Sequence, residues 1–232
     1  MKKELYKGFK DAFPIFLGYF AVAFALGINA SAAGLTWFQA SLMSFLNLTS
    51  AGQASAIEII KDGGSYTELV LSQIVINLRY LLMGAALSIK LSSDSSTGKR
   101  LLMSLGITDE IFAISAAQKN PLSPMYTFGA FLMALPGWTI GTAIGAGLGS
   151  ILSSSVISSL SIALYAMFIA ILLPGCKDIK ILVLVVVSAL VSFLMSRFTP
   201  QISFGIRIII ITIVLSLIFA SLFPVNEEVC NE

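Results

Sequence analysis

Arg79 is a charged residue in the middle of the apolar stretch 66–89, where an ionised side chain is costly. On translocon insertion scales, an arginine at the centre of a membrane helix costs about 2.5–3.5 kcal/mol. We therefore expect Arg79 to point into the protein, toward a carboxylate or toward backbone carbonyl groups. A structural ion pair and a role in a functional site both fit this expectation.

Asp109 and Glu110 are two adjacent acids that follow Thr108 in the long interval between apolar stretches. A threonine N-cap with acids in the first helical turn predicts a helix that runs to Gln118, which explains the triplet without any function. Two carboxylates in a poorly solvated site also tend to raise the pKa of one member. Because the chain has no histidine, a proton-linked cycle must use carboxylates. The candidate coupling or ion-pair residues are therefore Arg79, Asp109 and Glu110.

A cluster of polar and glycine residues, 47–55, interrupts the apolar stretch 37–60. Such a cluster at mid-membrane depth predicts two half-helices, about 37–47 and 54–61, that meet at an unwound break. A continuous helix with a small-residue packing face is the alternative. An unwound break offers free backbone amides, which bind carboxylates well. The candidate substrate-binding residues here are Ser50, Gly52 and Gln53.

The stretch 66–89 also carries one polar face. Gln73, Asn77, Tyr80 and Gly84 follow the i, i+4, i+7, i+11 spacing of one side of a helix. Amide side chains can bind the polar groups of a small zwitterion and need no charge of their own. Gln73 and Asn77 are therefore further candidate substrate-binding residues.

The composition assigns these residues to an integral membrane protein. Hydrophobic residues make up 57% of the 232 residues and charged residues 11%, against about 45–50% and about 25% in soluble domains. A net charge of +2 without a basic block argues against nucleic-acid binding. The absence of histidine excludes Cys-His catalysis, the Ser-His-Asp triad and zinc sites that need histidine. We expect no enzymatic activity, no cofactor and no metal site.

Seven apolar stretches have about the 17–25 residues that a membrane helix needs. They are 13–33, 37–60, 66–89, 126–149, 154–173, 179–196 and 202–223. We expect one all-α membrane transport domain over residues 1–232, with six to seven membrane helices and one broken or re-entrant segment. The lysines before residue 13 and the sequence Ala30-Ser31-Ala32 resemble a signal peptide, but the length of the run favours a retained first span.

The positions of lysine and arginine favour six crossings. If 37–60 enters and leaves on one side and 90–125 does not cross, ten basic residues lie inside and two outside, with Arg79 and Arg207 set aside. If both segments cross, the count is eight against four. The positive-inside rule therefore predicts six crossings with both termini cytoplasmic.

The stretch 126–149 carries glycines at every fourth position. They are Gly137, Gly141, Gly145 and Gly149. This small-xxx-small pattern lets two helices approach closely in lipid. We expect it to pack against another helix of this chain or of a partner; a pivot for conformational change is the alternative.

Several of these motifs occur together in a recognisable order. They are Gly8-Phe9, Pro14-Ile15, Gly18, Ser50-Ala51-Gly52-Gln53, Asn77-Leu78-Arg79-Tyr80 and Thr108-Asp109-Glu110-Ile111-Phe112-Ala113. Over residues 8–175 the chain resembles the AzlC-type branched-chain amino acid permeases. The resemblance implies a multi-pass protein of the bacterial cytoplasmic membrane that exports leucine, isoleucine, valine and similar neutral amino acids. It also implies a small AzlD-type membrane subunit as partner. A passive channel and a structural membrane subunit are the alternatives.

Overall fold

The computed structural model describes residues 2–91, 95–119, 121–149 and 175–223, together with residues 155, 162 and 169. Within these residues the fold is all-α, as expected, with ten α-helices and no strand. The helices are α1 (Lys2–Asp11), α2 (Phe13–Ala32), α3 (Trp37–Leu46), α4 (Ser50–Lys61), α5 (Tyr66–Lys90), α6 (Thr97–Ser104), α7 (Asp109–Ala116), α8 (Pro124–Leu148), α9 (Ile179–Phe198) and α10 (Phe204–Leu222).

Five of these helices are long and apolar enough to cross a membrane. They are α2, α5, α8, α9 and α10, and they coincide with five of the seven apolar stretches of the sequence. The stretch 154–173 lies almost entirely outside the described residues. A membrane protein with several apolar helices is therefore the architecture of the described part of the chain.

The polar segment 37–60 forms two helices, α3 and α4, which are separated by Asn47, Leu48 and Thr49. Thr49 caps α4, because its hydroxyl oxygen accepts a hydrogen bond from the Gly52 amide at 3.3 Å. The prediction that 50–53 is unwound and that the second half-helix begins at about 54 is wrong. The cap fixes the first turn of α4 on these residues instead.

Helices α2 and α8 form the centre of the bundle and run parallel. A Cβ atom added at Gly137 or Gly141 would lie 2.6 Å from the backbone oxygen of Phe16 or Phe20, respectively. No side chain fits at that distance, so the glycines allow the two backbones to touch. The glycine stripe therefore packs against α2 within the chain, and these two positions are not available to a partner.

Helix α5 runs in the opposite direction to α8. The Lys90 carbonyl at its end accepts a hydrogen bond from the Leu122 amide, just before α8 begins. Asn77, midway along α5, contacts Thr49 between α3 and α4. We call the end of the bundle where α2 and α8 begin the lower end, and the opposite end the upper end. Helix α5 therefore starts at the upper end and finishes at the lower end.

Candidate functional site

Two helix starts face one small cavity near the middle of the bundle. Helix α4 contributes Ser50 and its cap Thr49, and helix α7 contributes Asp109 and Glu110 with the cap Thr108. The other lining residues are Tyr19, Leu48, Tyr80 and Trp138. The volume of the cavity is about 10 Å³, which is room for about one water molecule. Any larger ligand requires the lining to move apart.

The two helix starts have the same backbone design. Thr49 accepts from the Gly52 amide at 3.3 Å, and Thr108 accepts from the Ile111 amide at 3.3 Å. In each case the amides of the first two helical residues have no carbonyl partner within the helix. Such amides and the helix dipole make a helix start attractive to anions.

The side chains at the two helix starts differ in charge. Ser50 and Ala51 leave the start of α4 neutral, so no acid in its own first turn offsets its positive potential. Asp109 and Glu110 occupy the same positions in α7 and bring two carboxylates. The cavity therefore has an anion-attracting side at α4 and a cation-attracting side at α7.

Arg79 pairs with a carboxylate, as the cost of burying its charge predicts. Its Nη1 atom lies 2.8 Å from Asp109 Oδ2, and its Nη2 atom donates to the Tyr80 hydroxyl at 3.3 Å. Burial raises the pKa of the Asp109 carboxyl above its ordinary value, whereas the Arg79 guanidinium lowers it. Arg79 is thus the main group that favours the ionised form of this partly buried acid.

Glu110 has a different partner from its neighbour. The Tyr19 hydroxyl donates to Glu110 Oε2 at 2.5 Å and lies 2.7 Å from the Thr108 hydroxyl oxygen. Tyr19 is buried in α2, opposite the start of α7. The two acids are therefore divided between an arginine and a tyrosine, and only the carboxylate of Glu110 faces a neutral partner.

Gln73 and Asn77 attach α5 to the start of α4. Gln73 Nε2 donates to the Gly52 carbonyl at 2.9 Å, and Asn77 Nδ2 donates to Gln73 Oε1 at 3.3 Å. The Thr49 hydroxyl donates to Asn77 Oδ1 at 2.9 Å. The polar face of α5 and the α3–α4 break are thus together, as the sequence suggested. In this conformation neither amide side chain is among the residues that line the cavity.

Gln53 is fully buried and orients an aromatic wall of the cavity. Its Oε1 atom accepts from the Trp138 indole nitrogen at 2.8 Å, and its Nε2 atom donates to Ser44 Oγ at 2.6 Å. Ser44 in turn donates to Thr142 Oγ1 at 2.6 Å. The Trp138 ring packs edge-on against Tyr19, with the ring centres 5.2 Å apart. Gln53 therefore contributes to the cavity through Trp138.

Tyr19, Leu48, Thr49 and Trp138 are lining residues that were not among the site residues predicted from sequence. A hydroxyl or indole N–H inside an apolar helix usually has a hydrogen-bond partner when buried. That rule marks Tyr19 and Trp138 as residues to consider, but it does not say where the partner is. Among the described residues, no group of three or more cysteine, aspartate or glutamate side chains is placed to hold a metal ion.

Comparison with known proteins places these residues in a family context. Residues 14–152 match the family model described as AzlC protein. The chain is 29% identical over 142 residues to "Inner membrane protein YgaZ" of Escherichia coli (strain K12); the match covers 60% of this chain and 58% of that relative. It is 31% identical over 173 residues to an "Uncharacterized membrane protein" of Archaeoglobus fulgidus, covering 74% of this chain and 75% of the relative. No solved structure matches.

Proposed function

This chain belongs to the AzlC family, and from that membership we propose that it exports branched-chain and similar neutral amino acids across the bacterial cytoplasmic membrane. The family and the two membrane-protein relatives support a membrane transport role. The substrate class is the one implied by the resemblance of the sequence to the AzlC-type permeases. The match spans less than two thirds of the Escherichia coli relative.

The observation that carries this proposal is the opposite polarity of the two helix starts that face the cavity. An amino acid is a zwitterion, so its site must satisfy one negative and one positive group. The free amides of Ser50 and Ala51 suit the carboxylate. Glu110 suits the ammonium group, because Asp109 is already paired with Arg79. The apolar side chain then lies against Leu48 and the aromatic rings of the cavity.

In this proposal the predicted residues around the α3–α4 break have supporting roles. Gln73 and Asn77 hold the first turn of α4 against α5, and Gln53 holds Trp138. Gly52 brings its carbonyl to Gln73, and a Cβ added there would lie 2.6 Å from Gln73 Oε1. These residues set the position of the amides that bind the substrate.

We also propose six membrane crossings, with α1 on the cytoplasmic side. The crossings are α2, α5, α8, the stretch 154–173, α9 and α10, and the ten-to-two distribution of basic residues supports them. Lys61→Cys should react with an impermeant thiol reagent from outside, and Ser96→Cys only from inside. The reverse pattern would overturn this topology.

The proposed partner is a small AzlD-type membrane subunit. Helix α9 buries none of its residues against the described part of the chain, so it has apolar surface available for lipid or for such a subunit. Co-purification of the two proteins, compared with the chain alone, tests the partnership. Loss of the subunit during mild detergent extraction with full transport retained would argue against it.

Leucine counterflow in proteoliposomes tests the proposed function, with and without a candidate partner. We expect saturable exchange that Glu110→Gln weakens and the control Glu58→Gln leaves intact. Glu58 is a partly exposed acid in a surface ion pair with Lys61, and such pairs contribute little to stability. Folded protein that shows no exchange in either condition would refute the permease, and flux without saturation would indicate a channel.

A further inference from the structure

Two consecutive parts of the chain have the same order of elements. In residues 13–61 the long helix α2 precedes the two short helices α3 and α4. In residues 66–116 the long helix α5 precedes the two short helices α6 and α7. In both parts the second short helix begins after a threonine N-cap, at Leu48-Thr49-Ser50 and at Ile107-Thr108-Asp109.

The two parts run in opposite directions through the bundle. Helix α2 ascends beside α8, and α5 descends to the start of α8. The α3–α4 segment therefore leaves the upper end and returns to it before α5. The α6–α7 segment, in the same way, leaves the lower end and returns to it before α8. The first segment reaches the level of Trp138 through Gln53, and the second reaches Tyr19 through Thr108.

One tyrosine of each long helix lies near the threonine cap of the other part. Thr49 follows Tyr19 by 30 residues, and Thr108 follows Tyr80 by 28 residues. The Tyr19 hydroxyl donates to Thr108 Oγ1 at 2.7 Å, and Tyr80 and Thr49 line the same small cavity. A two-fold relation between the parts predicts this reciprocal arrangement. Inverted repeats of this kind place the substrate site of many transporters where their broken helices meet.

We infer that residues 13–61 and 66–116 are inverted repeats, and that Tyr19 and Tyr80 close the lower and the upper access to the cavity, respectively. Tyr19 bonds to the α6–α7 segment, which enters from the lower end, and Tyr80 lies near Thr49 of the α3–α4 segment, which enters from the upper end. The cavity has room for about one water molecule, so an amino acid can enter only if one of these two sides opens. The gating role rests on the proposed transport function; the repeat relation itself does not.

The two closures differ in strength. Tyr19 donates to a carboxylate and to a threonine of the α6–α7 segment, whereas the Tyr80 hydroxyl accepts from Arg79 of its own helix. Hydrogen bonds to an ionised acceptor are about twice as strong as neutral ones. The lower closure is therefore the stronger one, and its loss should have the larger effect.

Side-specific labelling of one cysteine in the cavity tests this inference. Cys176 and Cys230 are replaced by serine, and Ser50→Cys supplies the reporter. The rate of reaction with a membrane-impermeant maleimide is measured from each side of oriented vesicles. Tyr19→Phe should increase the rate from the lower, cytoplasmic side about tenfold, as expected for loss of a hydrogen bond to a charged group. Tyr80→Phe should increase the rate from the upper side less, by about threefold, because it removes no hydrogen bond to a charged group of the facing segment.

Two further variants make the test decisive. Glu110→Gln retains an acceptor but removes the charge, so it should increase labelling from the lower side less than Tyr19→Phe does. It also serves if Tyr19→Phe does not fold. Tyr66→Phe is the matched control, since Tyr66 is 90% exposed and its substitution should change neither rate.

Equal effects on both sides, effects on the opposite side, or no effect in folded protein would each overturn the inference. If labelling is side-specific but the wild-type protein shows no leucine counterflow, the proposed amino-acid substrate is refuted, whereas the inference of inverted repeats still stands.

Discussion

Gln53→Leu should expose how much the buried hydrogen-bond chain behind the cavity contributes to stability and to substrate binding. The change introduces an apolar side chain of similar length and removes the acceptor of the Trp138 indole N–H, 2.8 Å away. Ser44 keeps its bond to Thr142, so a single buried donor is left without its partner. A buried donor without a partner costs about 1–3 kcal/mol, which corresponds to about a 5- to 150-fold change in the folding equilibrium.

The assay uses the Trp37→Phe background, in which Trp138 is the single tryptophan of the chain. Thermal unfolding in detergent gives the loss of stability, and Trp138 fluorescence anisotropy reports the freedom of the ring. We expect Gln53→Leu to lower the melting temperature and the anisotropy, and to raise the KM for leucine more than it lowers the maximal rate. Gln53→Glu retains an acceptor for the indole and should recover the anisotropy, although its buried charge adds its own cost.

A double-mutant cycle with Trp138→Phe separates the bond from the loss of the larger ring. If Gln53 acts through the indole N–H, the double variant should lose about 1–3 kcal/mol less unfolding free energy than the two single variants lose in sum. Additive effects, or unchanged Trp138 anisotropy in Gln53→Leu, would refute the positioning role. A lower KM in Gln53→Leu would show that the aromatic wall does not contact the substrate.

The remaining predictions concern the bundle and its charges. Gly141→Leu should reduce the yield of monodisperse protein because its Cβ would lie 2.6 Å from a backbone oxygen of α2, whereas Gly147→Leu, which meets nothing within 4 Å, should not; equal yields would refute the packing role. Asp109→Asn should lower the melting temperature more than Glu110→Gln does, because only Asp109 neutralises Arg79. Glu110→Gln should instead raise the KM for leucine, and wild-type transport kinetics in both folded variants would reduce the two acids to a helix cap.

The pairing of Arg79 was accessible from sequence because the physical constraint is strong. A buried guanidinium requires a partner at any position, so the expectation holds without knowledge of the fold. The identity of its partner could not be predicted, because Asp109 is 30 positions away and backbone carbonyl groups would also have stabilised the guanidinium. Sequence reasoning could predict that Arg79 points into the protein, but only the packing of α5 against α7 selects Asp109 as its partner.

The break between α3 and α4 was predicted from polar density, but its position was wrong by one turn of helix. Asn47, Thr49 and Ser50 are all good N-cap residues, so local preference does not decide where α4 begins. The contacts with α5 decide it, because Thr49 bonds both to the Gly52 amide and to Asn77. Tertiary contacts of this kind select one cap among several that are locally equivalent.

Tyr19 and Trp138 illustrate the larger limit of sequence reasoning at this site. Their partners Glu110 and Gln53 lie 91 and 85 residues away, and nothing local marks either ring as different from the other aromatics of the chain. What makes them informative is the reversal of chain direction between α2 and α5, which brings two similar helix starts together from opposite ends of the bundle. The backbone of each start offers the same free amides, so the side chains after the threonine must distinguish them. Neutral residues in α4 and acids in α7 then give one cavity two opposite ends, which is the arrangement that a zwitterion needs and a simple anion site does not.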